Sequence, residues 1–296
     1  MRAIVTGGAG FIGSHVVDAL LARGDDVRVL DDLSTGKRKN VPPGAELDVV
    51  DIREQLDGRF EGVEVCFHLA AQVDVRVAVD RPVEDADVNV LGTIRVLEAA
   101  RRHGTQVVFA SSGGAIYGEC DGPAREDAER RPLSQYGVSK LAGEEYLAAY
   151  NRLYGTRHVS LRYANVYGPR QDPKGEAGVV AIFLGRLAAG EAPRIFGDGR
   201  QTRDYVYAGD VARATLSAVG QEGVFNIGTR TETSVLELYE LCRRVTGSEL
   251  AAETAPARLG ELQRSVLDVS LAEQELAWSP EVPLEAGLRL TWESFR

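Results

Sequence analysis

Two residues able to move a proton between them stand in the segment Tyr136-Gly-Val-Ser-Lys140. On a helix, residues four apart share a face, with their Cβ atoms about 5–6 Å from one another. A free phenol titrates near pH ~10 and is a poor base at neutral pH, but an adjacent ammonium stabilises the phenolate and lowers that value. Tyr136 beside Lys140 is therefore a candidate acceptor for the proton of a hydroxyl whose carbon gives up a hydride. The plain alternative is an i,i+4 pair on a helix surface.

A hydride needs an acceptor, and the opening of the chain offers a seat for one. Thr6-Gly-Gly-Ala-Gly-Phe-Ile-Gly13 follows the short apolar run Ala3 to Val5. Glycines at 7, 10 and 13 let a strand turn tightly into a helix, bring backbone N–H groups against a pyrophosphate, and let the helix pack close to a sheet. Asp31 lies 18 residues beyond Gly13, at the end of the β-rich run Val27 to Leu30. That is near the spacing of the acid that holds the adenosine ribose hydroxyls. A carboxylate there repels a 2′-phosphate, which favours NAD over NADP. The alternative for Asp31 is a turn residue after a strand.

The elements that must position these groups alternate. Strand Arg2 to Thr6, helix Phe11 to Arg23, strand Asp26 to Leu30, a polar loop and strand Glu46 to Val50 are followed by strand Val63 to Leu69 and a long helix, Val83 to His103. Strand Gln106 to Ala110, helix Ser134 to about Tyr154 and strand His158 to Tyr163 come next. Repeated βα alternation predicts a doubly wound parallel sheet with helices on both faces, its six strands complete by about residue 163. Beyond it the pattern loosens into helix Val179 to Ala189, a turn and helix within Arg203 to Val219, strand Gly223 to Ile227, and helices Ser234 to Thr246 and Leu271 to Ala277. The fold class expected is α/β. A dinucleotide-binding domain takes residues 1–163 plus about 200–222, and a smaller C-terminal substrate domain takes 164–199 and 223–296.

Composition narrows the partners. A net charge of −10 on 296 residues argues against nucleic acid or an anionic membrane surface. Cys66, Cys120 and Cys242 have neither metal-ligand spacing nor an even disulfide set, which points to a reducing compartment. No apolar run approaches ~18 residues, and the first residues form a strand instead of a signal segment. A cytoplasmic protein is expected. His68 ends a strand and is read as a satisfied core residue; no metal site is legible.

Taken in order, TGGAGFIG, Asp31, Asp51-Ile52, HLAA at His68 to Ala71, ASS at Ala110 to Ser112 with Tyr117-Gly118, and Tyr136/Lys140 resemble the extended short-chain dehydrogenase/reductase family. The likeness continues through RYANVYGPRQ (Arg162 to Gln171), GDGRQTRDYVY (Gly197 to Tyr207), NIG (Asn226 to Gly228) and RLGE (Arg258 to Glu261). Within that family the chain is most similar to nucleotide-sugar epimerases of the UDP-glucose 4-epimerase type. The resemblance implies a Rossmann fold and NAD-dependent epimerisation at C4 of a UDP-hexose through a transient 4-keto sugar. The glucose/galactose pair is expected, with an N-acetylated pair or a uronic acid as alternatives. It implies pyrophosphate contacts from Gly7, Gly10, Phe11, Ile12 and Gly13. Asp31, Asp32 and Ser34 serve the adenosine ribose and Asp51 and Ile52 the adenine. Ala70, Ala71 and Gln72 line the middle of the cofactor, Lys140 holds the nicotinamide ribose and Tyr163 lies nearby. Asn165, Arg203 and Arg258 surround the substrate diphosphate; an arginine fork suits phosphate oxygens and stays charged. A homodimer built through the helices Val83 to His103 and Ser134 to Tyr154 is also implied.

One position departs from the family pattern. The Ser or Thr that bridges substrate hydroxyl and tyrosine aligns with Gly113, which has no side chain. Ser112 is taken as the third catalytic residue beside Tyr136 and Lys140, with a water as the alternative. Gly114 and Ala115 stand where the 4,6-dehydratases carry an Asp-Glu pair, so elimination lacks its proton donor. Ser265 aligns where a bulky residue restricts the sugar pocket, and its small size leaves room for an N-acetyl group. Other readings are a nucleotide-sugar dehydratase or 4-ketoreductase, and a non-catalytic NAD-binding regulatory protein.

Overall fold

The computed structural model describes residues 1–173, 178–257 and 262–295. Strands β1 (Arg2–Thr6), β2 (Asp26–Asp31), β3 (Glu46–Val49), β4 (Val65–His68), β5 (Gln106–Ser112) and β6 (Val159–Tyr163) form the predicted sheet. Between them run α1 (Phe11–Arg23), α2 (Val75–Asp80), α3 (Pro82–Ala86), α4 (Thr93–His103), the short α5 (Gly113–Ile116) and α6 (Gln135–Tyr154). After β6 come β7 (Asn165–Tyr167), α7 (Val179–Ala188), β8 (Arg194–Phe196), β9 (Thr202–Tyr207), α8 (Ala208–Ser217) and β10 (Gly223–Ile227). The remainder is β11 (Glu232–Ser234), α9 (Val235–Thr246), β12 (Glu253–Ala255), β13 (Arg264–Ser265), α10 (Ser270–Glu275) and α11 (Leu284–Glu293).

The large sheet has seven parallel strands in the order β10-β6-β5-β4-β1-β2-β3. Successive strand residues point to opposite faces, so Val5, Val29 and Val108 join a core under α1 and α8, while Ile4, Leu30 and Phe109 join one under α4 and α6. The order reverses between β1 and β4, which opens a crevice beyond the carboxyl ends of those strands, the place where such sheets bind ligands. Among the described residues no helix is long and apolar enough to cross a membrane.

Three expectations are corrected. The sheet gains a seventh strand, because Gly223–Ile227 pairs in parallel with β6 instead of joining the smaller domain. Residues at the start of the 200–222 stretch go the other way: β9 pairs with β7, β11 and β13 in a separate sheet. Apolar patterning alone does not say which sheet a strand joins; pairing does. The helix expected over Val83 to His103 is α3, a π-helical segment Asp87–Gly92, and α4. Its start is set by Pro82, whose missing N–H is harmless in a first helical turn.

Candidate active site

The glycine turn holds its shape because nothing larger than hydrogen fits. Gly7 has φ +69°, and a Cβ there would lie 2.7 Å from the backbone nitrogen of Ala70; a Cβ on Gly13 would overlap the Gly7 carbonyl oxygen. The turn therefore packs against the residues just after β4, and α1 starts close against the turn. Its N-cap, Gly10, supplies no side-chain acceptor and its first turn holds no acidic residue. The leading amides of α1 are thus left for an anion, with the positive end of the helix dipole behind them. A cleft of about 660 Å³ runs from this turn across the strand ends and is lined by Gly7, Gly10, Phe11, Ile12 and Gly13. Asp31, Asp32, Ser34, Asp51, Ile52, Ala70, Ala71 and Gln72 line it too. Shape and lining fit a dinucleotide.

Asp31 is buried, and its carboxylate accepts from Ala9 N and Leu33 N, both at 2.9 Å. Burial raises its pKa, opposed by those two amides. It closes the glycine turn from below and keeps lone pairs for a further donor. Asp32 accepts from the Ser34 amide and hydroxyl. The Asp51 carboxylate is held by Arg53, which also reaches Asp87.

Tyr136 and Lys140 are placed by two close approaches. Ser134 caps α6 by accepting from Gly137 N at 3.2 Å. A Cβ on Gly137 would stand 2.5 Å from Ala115 O, and one on Gly143 would stand 2.7 Å from the Phe109 ring. These two glycines let α6 lie directly on α5 and β5. Lys140 then donates to Ala110 O at 2.9 Å, with its Nζ 4.9 Å from the Phe109 ring centre and 5.8 Å from that of Tyr136. Tyr136 is half-buried, faces the cleft, and is hydrogen-bonded to the Ser112 side chain. The expected lowering of the phenol by Lys140 does not hold in this geometry. Burial pushes Tyr136 up to about 12, against the Ser112 hydrogen bond and with the charge of Asp85. Burial also brings Lys140 down to about 8, with Asp85 and Glu144 pulling the other way.

Gly113 is explained by its neighbour. A Cβ at this position would lie 2.6 Å from Cδ1 of Leu267, a side chain only 1% exposed. Leu267 thus fills the space that a serine or threonine would need, and the hydroxyl at the phenol comes from one residue earlier.

A polar network beneath the pair was not read from sequence. Asp85 is fully buried and accepts from Ser139 Oγ at 2.5 Å, Asn89 Nδ2 at 2.9 Å and Gln72 Nε2 at 3.0 Å. Asn89 also brackets the backbone of Gln72, accepting from its N and donating to its O. Gln72 accordingly commits its side chain to this network while lining the cleft. Behind it, Thr93 meets His68 Nε2 at 3.0 Å and His68 Nδ1 meets Thr6 Oγ1 at 2.7 Å. His68 is the satisfied core residue expected, and burial lowers it to about 3. Asp85, Asn89 and Thr93, four residues apart inside an apolar pattern, were the legible signal.

Of the expected substrate residues, Asn165 lines the cleft. So does Tyr163, expected beside the nicotinamide ribose, whose hydroxyl is 2.8 Å from Thr215 Oγ1. Arg203 is not among the described residues that line it; its Nη1 donates to Thr202 O on β9. Arg258 lies outside the described residues.

A model of the NAD dependent epimerase/dehydratase family matches residues 3–228, the stretch that holds the seven-stranded sheet from Ala3 onward and every described residue lining the cleft. The chain belongs to this family. Among epimerase/dehydratase family members, the UDP-glucose 4-epimerase of Mycolicibacterium smegmatis is 47% identical, the match covering 100% of this chain and 99% of that one. The structure of the Thermotoga maritima UDP-glucose 4-epimerase with UDP-glucose has a TM-score of 0.98 at 46% identity, covering 100% of this chain and 99% of that chain. The Thermus thermophilus UDP-glucose 4-epimerase in complex with NAD has a TM-score of 0.95 at 47% identity, with the same coverage.

Proposed function

We propose that this family member interconverts the C4 epimers of a UDP-hexose, UDP-glucose and UDP-galactose, with NAD seated on the opening glycines. The observation that carries the reading is the phenol of Tyr136, hydrogen-bonded to Ser112 and one helical turn from Lys140, at the end of a cleft that starts on the glycine turn. Full-length similarity to UDP-glucose 4-epimerases supports the same reading. NAD, when bound, supplies a reversible hydride acceptor and a positive charge. The chain does the rest. The amides of the α1 turn hold the pyrophosphate, Asp31 disfavours a 2′-phosphate and faces the ribose, and Lys140 holds the nicotinamide ribose. Tyr136 takes the proton of the sugar 4-hydroxyl through or beside Ser112. Once the 4-keto sugar has turned about its diphosphate linkage, the hydride that C4 gave up would return to the opposite face of C4, and Tyr136 gives the proton back to the 4-oxygen. Gly114 and Ala115 stand where the 4,6-dehydratases carry their Asp-Glu pair, so those two positions supply no acid to expel a C6 hydroxyl.

The remaining site roles belong to the same proposal. Asp32 and Ser34 complete the ribose site, Asp51 and Ile52 the adenine site, and Arg203 and Arg258 with Asn165 the diphosphate site. The N-acetylated pair is accepted as well: Gly114 and Ser265 are neighbours, a Cβ at 114 lying 4.0 Å from Ser265 Oγ, and neither residue brings bulk. Exposed apolar side chains on α3 and α6, Val83 at 82% and Leu153 at 73%, support a homodimer through those helices. Three free thiols are in keeping with a reducing, cytoplasmic setting.

The test is direct. Purified protein given UDP-galactose and no added cofactor is expected to form UDP-glucose, and Tyr136→Phe to lower turnover about 10²–10⁴-fold while NAD stays bound. Net consumption of added NADH, or a stable keto product, would transfer the assignment to a reductase or dehydratase.

A further inference from the structure

Asp85 is a buried carboxylate for which the proposed reaction so far has no use. Its three donors, Ser139, Asn89 and Gln72, are all neutral. One of them, Ser139, sits in the α6 turn between Tyr136 and Lys140, and another, Gln72, lines the cleft. Burying a carboxylate on neutral partners is unfavourable unless a nearby cation offsets it.

We propose that Asp85 is a positioning residue that ties the Tyr136–Lys140 turn to the cleft floor and serves as the counter-charge of Lys140. This rests on the epimerase reading for the role of the pair, not for the geometry. The other ionisable groups facing Lys140 are already engaged. Glu144, on α6, is held in a buried ion pair with Arg162 of β6 at 2.7 Å and also accepts from Ser111 Oγ. His68, on β4, has both ring nitrogens engaged by Thr6 and Thr93 and stays neutral. Tyr136 shares the helix face, and Phe109 of β5 offers only its ring. Among the described residues, Asp85, on α3, is left as the charge without an ion-pair partner of its own. Its field acts on both members of the pair, favouring the ammonium of Lys140 and disfavouring the phenolate of Tyr136.

The sign is the same for both groups. Removing the charge leaves Lys140 to lose its proton at lower pH and lets Tyr136 ionise at lower pH. Turnover that needs a phenolate and an ammonium then has both pH limbs displaced toward acid. A merely structural tie would lower turnover and leave the limbs in place.

The experiment compares the purified protein with Asp85→Asn and Ser139→Ala. It measures the pH profile of UDP-galactose turnover and, separately, the tyrosinate absorbance of each protein minus that of its Tyr136→Phe counterpart. Asp85→Asn is expected to move both limbs and the Tyr136 titration to lower pH by about one unit. Ser139→Ala, which keeps the charge, is expected to lose turnover with no displacement. Unmoved limbs and an unmoved Tyr136 titration in Asp85→Asn overturn the proposal. If Asp85→Asn does not fold, Asp85→Ser replaces it; if neither charge-free variant folds, Asp85 belongs to folding and the proposal is overturned. The absorbance titration needs no turnover, so its failure is distinct from failure of the epimerase reading, which the parent protein's conversion of UDP-galactose tests.

Discussion

At the scale of single residues, the departure at Gly113 has a physical cause that reaches across the molecule. Leu267, carried in the C-terminal part of the chain, fills the volume a side chain at 113 would need. Gly113→Ser, although it returns the hydroxyl to the usual family position, is expected to lower both turnover and Tm, with overpacking of about 1–3 kcal/mol. Leu267→Ala alone opens a buried cavity and is expected to destabilise by about 2–5 kcal/mol. In the double variant each change relieves the other, so the combined loss should fall short of the sum; additive losses in thermal or urea unfolding would show that the two do not share one space. Ser112→Ala should abolish most turnover in the parent and less in the double variant, where a second hydroxyl reaches the phenol.

At the scale of elements, α6 carries the proposed proton-transfer pair, and glycines at its two ends do different work. Gly137 lets the first turn lie against Ala115 O, whereas Gly155 ends the helix at φ +66° with open space around it. Gly137→Ala should push the turn bearing Tyr136 away from Ser112, reducing kcat at least about tenfold. Gly155→Ala meets no atom and costs only the strain of a left-handed backbone, about 1 kcal/mol, so it should lower Tm and leave kcat as it was. Steady-state kinetics and thermal unfolding of the two variants, measured side by side, separate these effects. Equal kcat in both would mean that the close approach at Gly137 does not position the tyrosine.

At the scale of the whole molecule, the exposed apolar side chains of α3 and α6 predict assembly. Sedimentation of the purified protein should give twice the chain mass of 32.0 kDa, and Val83→Lys with Leu153→Lys should return the monomer without unfolding it. A monomer at micromolar concentration in the parent would refute the dimer. The same scale shows how far sequence reading extends. Six strands, the glycine turn and the helix bearing Tyr136 and Lys140 were legible because each is a local pattern: period two, period 3.6, or a fixed offset along one chain segment. The acid that ends β2 was legible for the same reason, since Asp31 closes its strand by position alone.

What the sequence by itself determined is therefore the parallel sheet, the seat for a dinucleotide at its first turn, and a phenol and an ammonium on one helical face. The tertiary structure alone decided that Gly223–Ile227 closes the large sheet, that Leu267 takes the room beside Gly113, and that Asp85 stands beneath Ser139. All three are contacts between residues far apart along the chain. Their distances are set by how helices and sheets stack, and no periodicity within either segment carries that information.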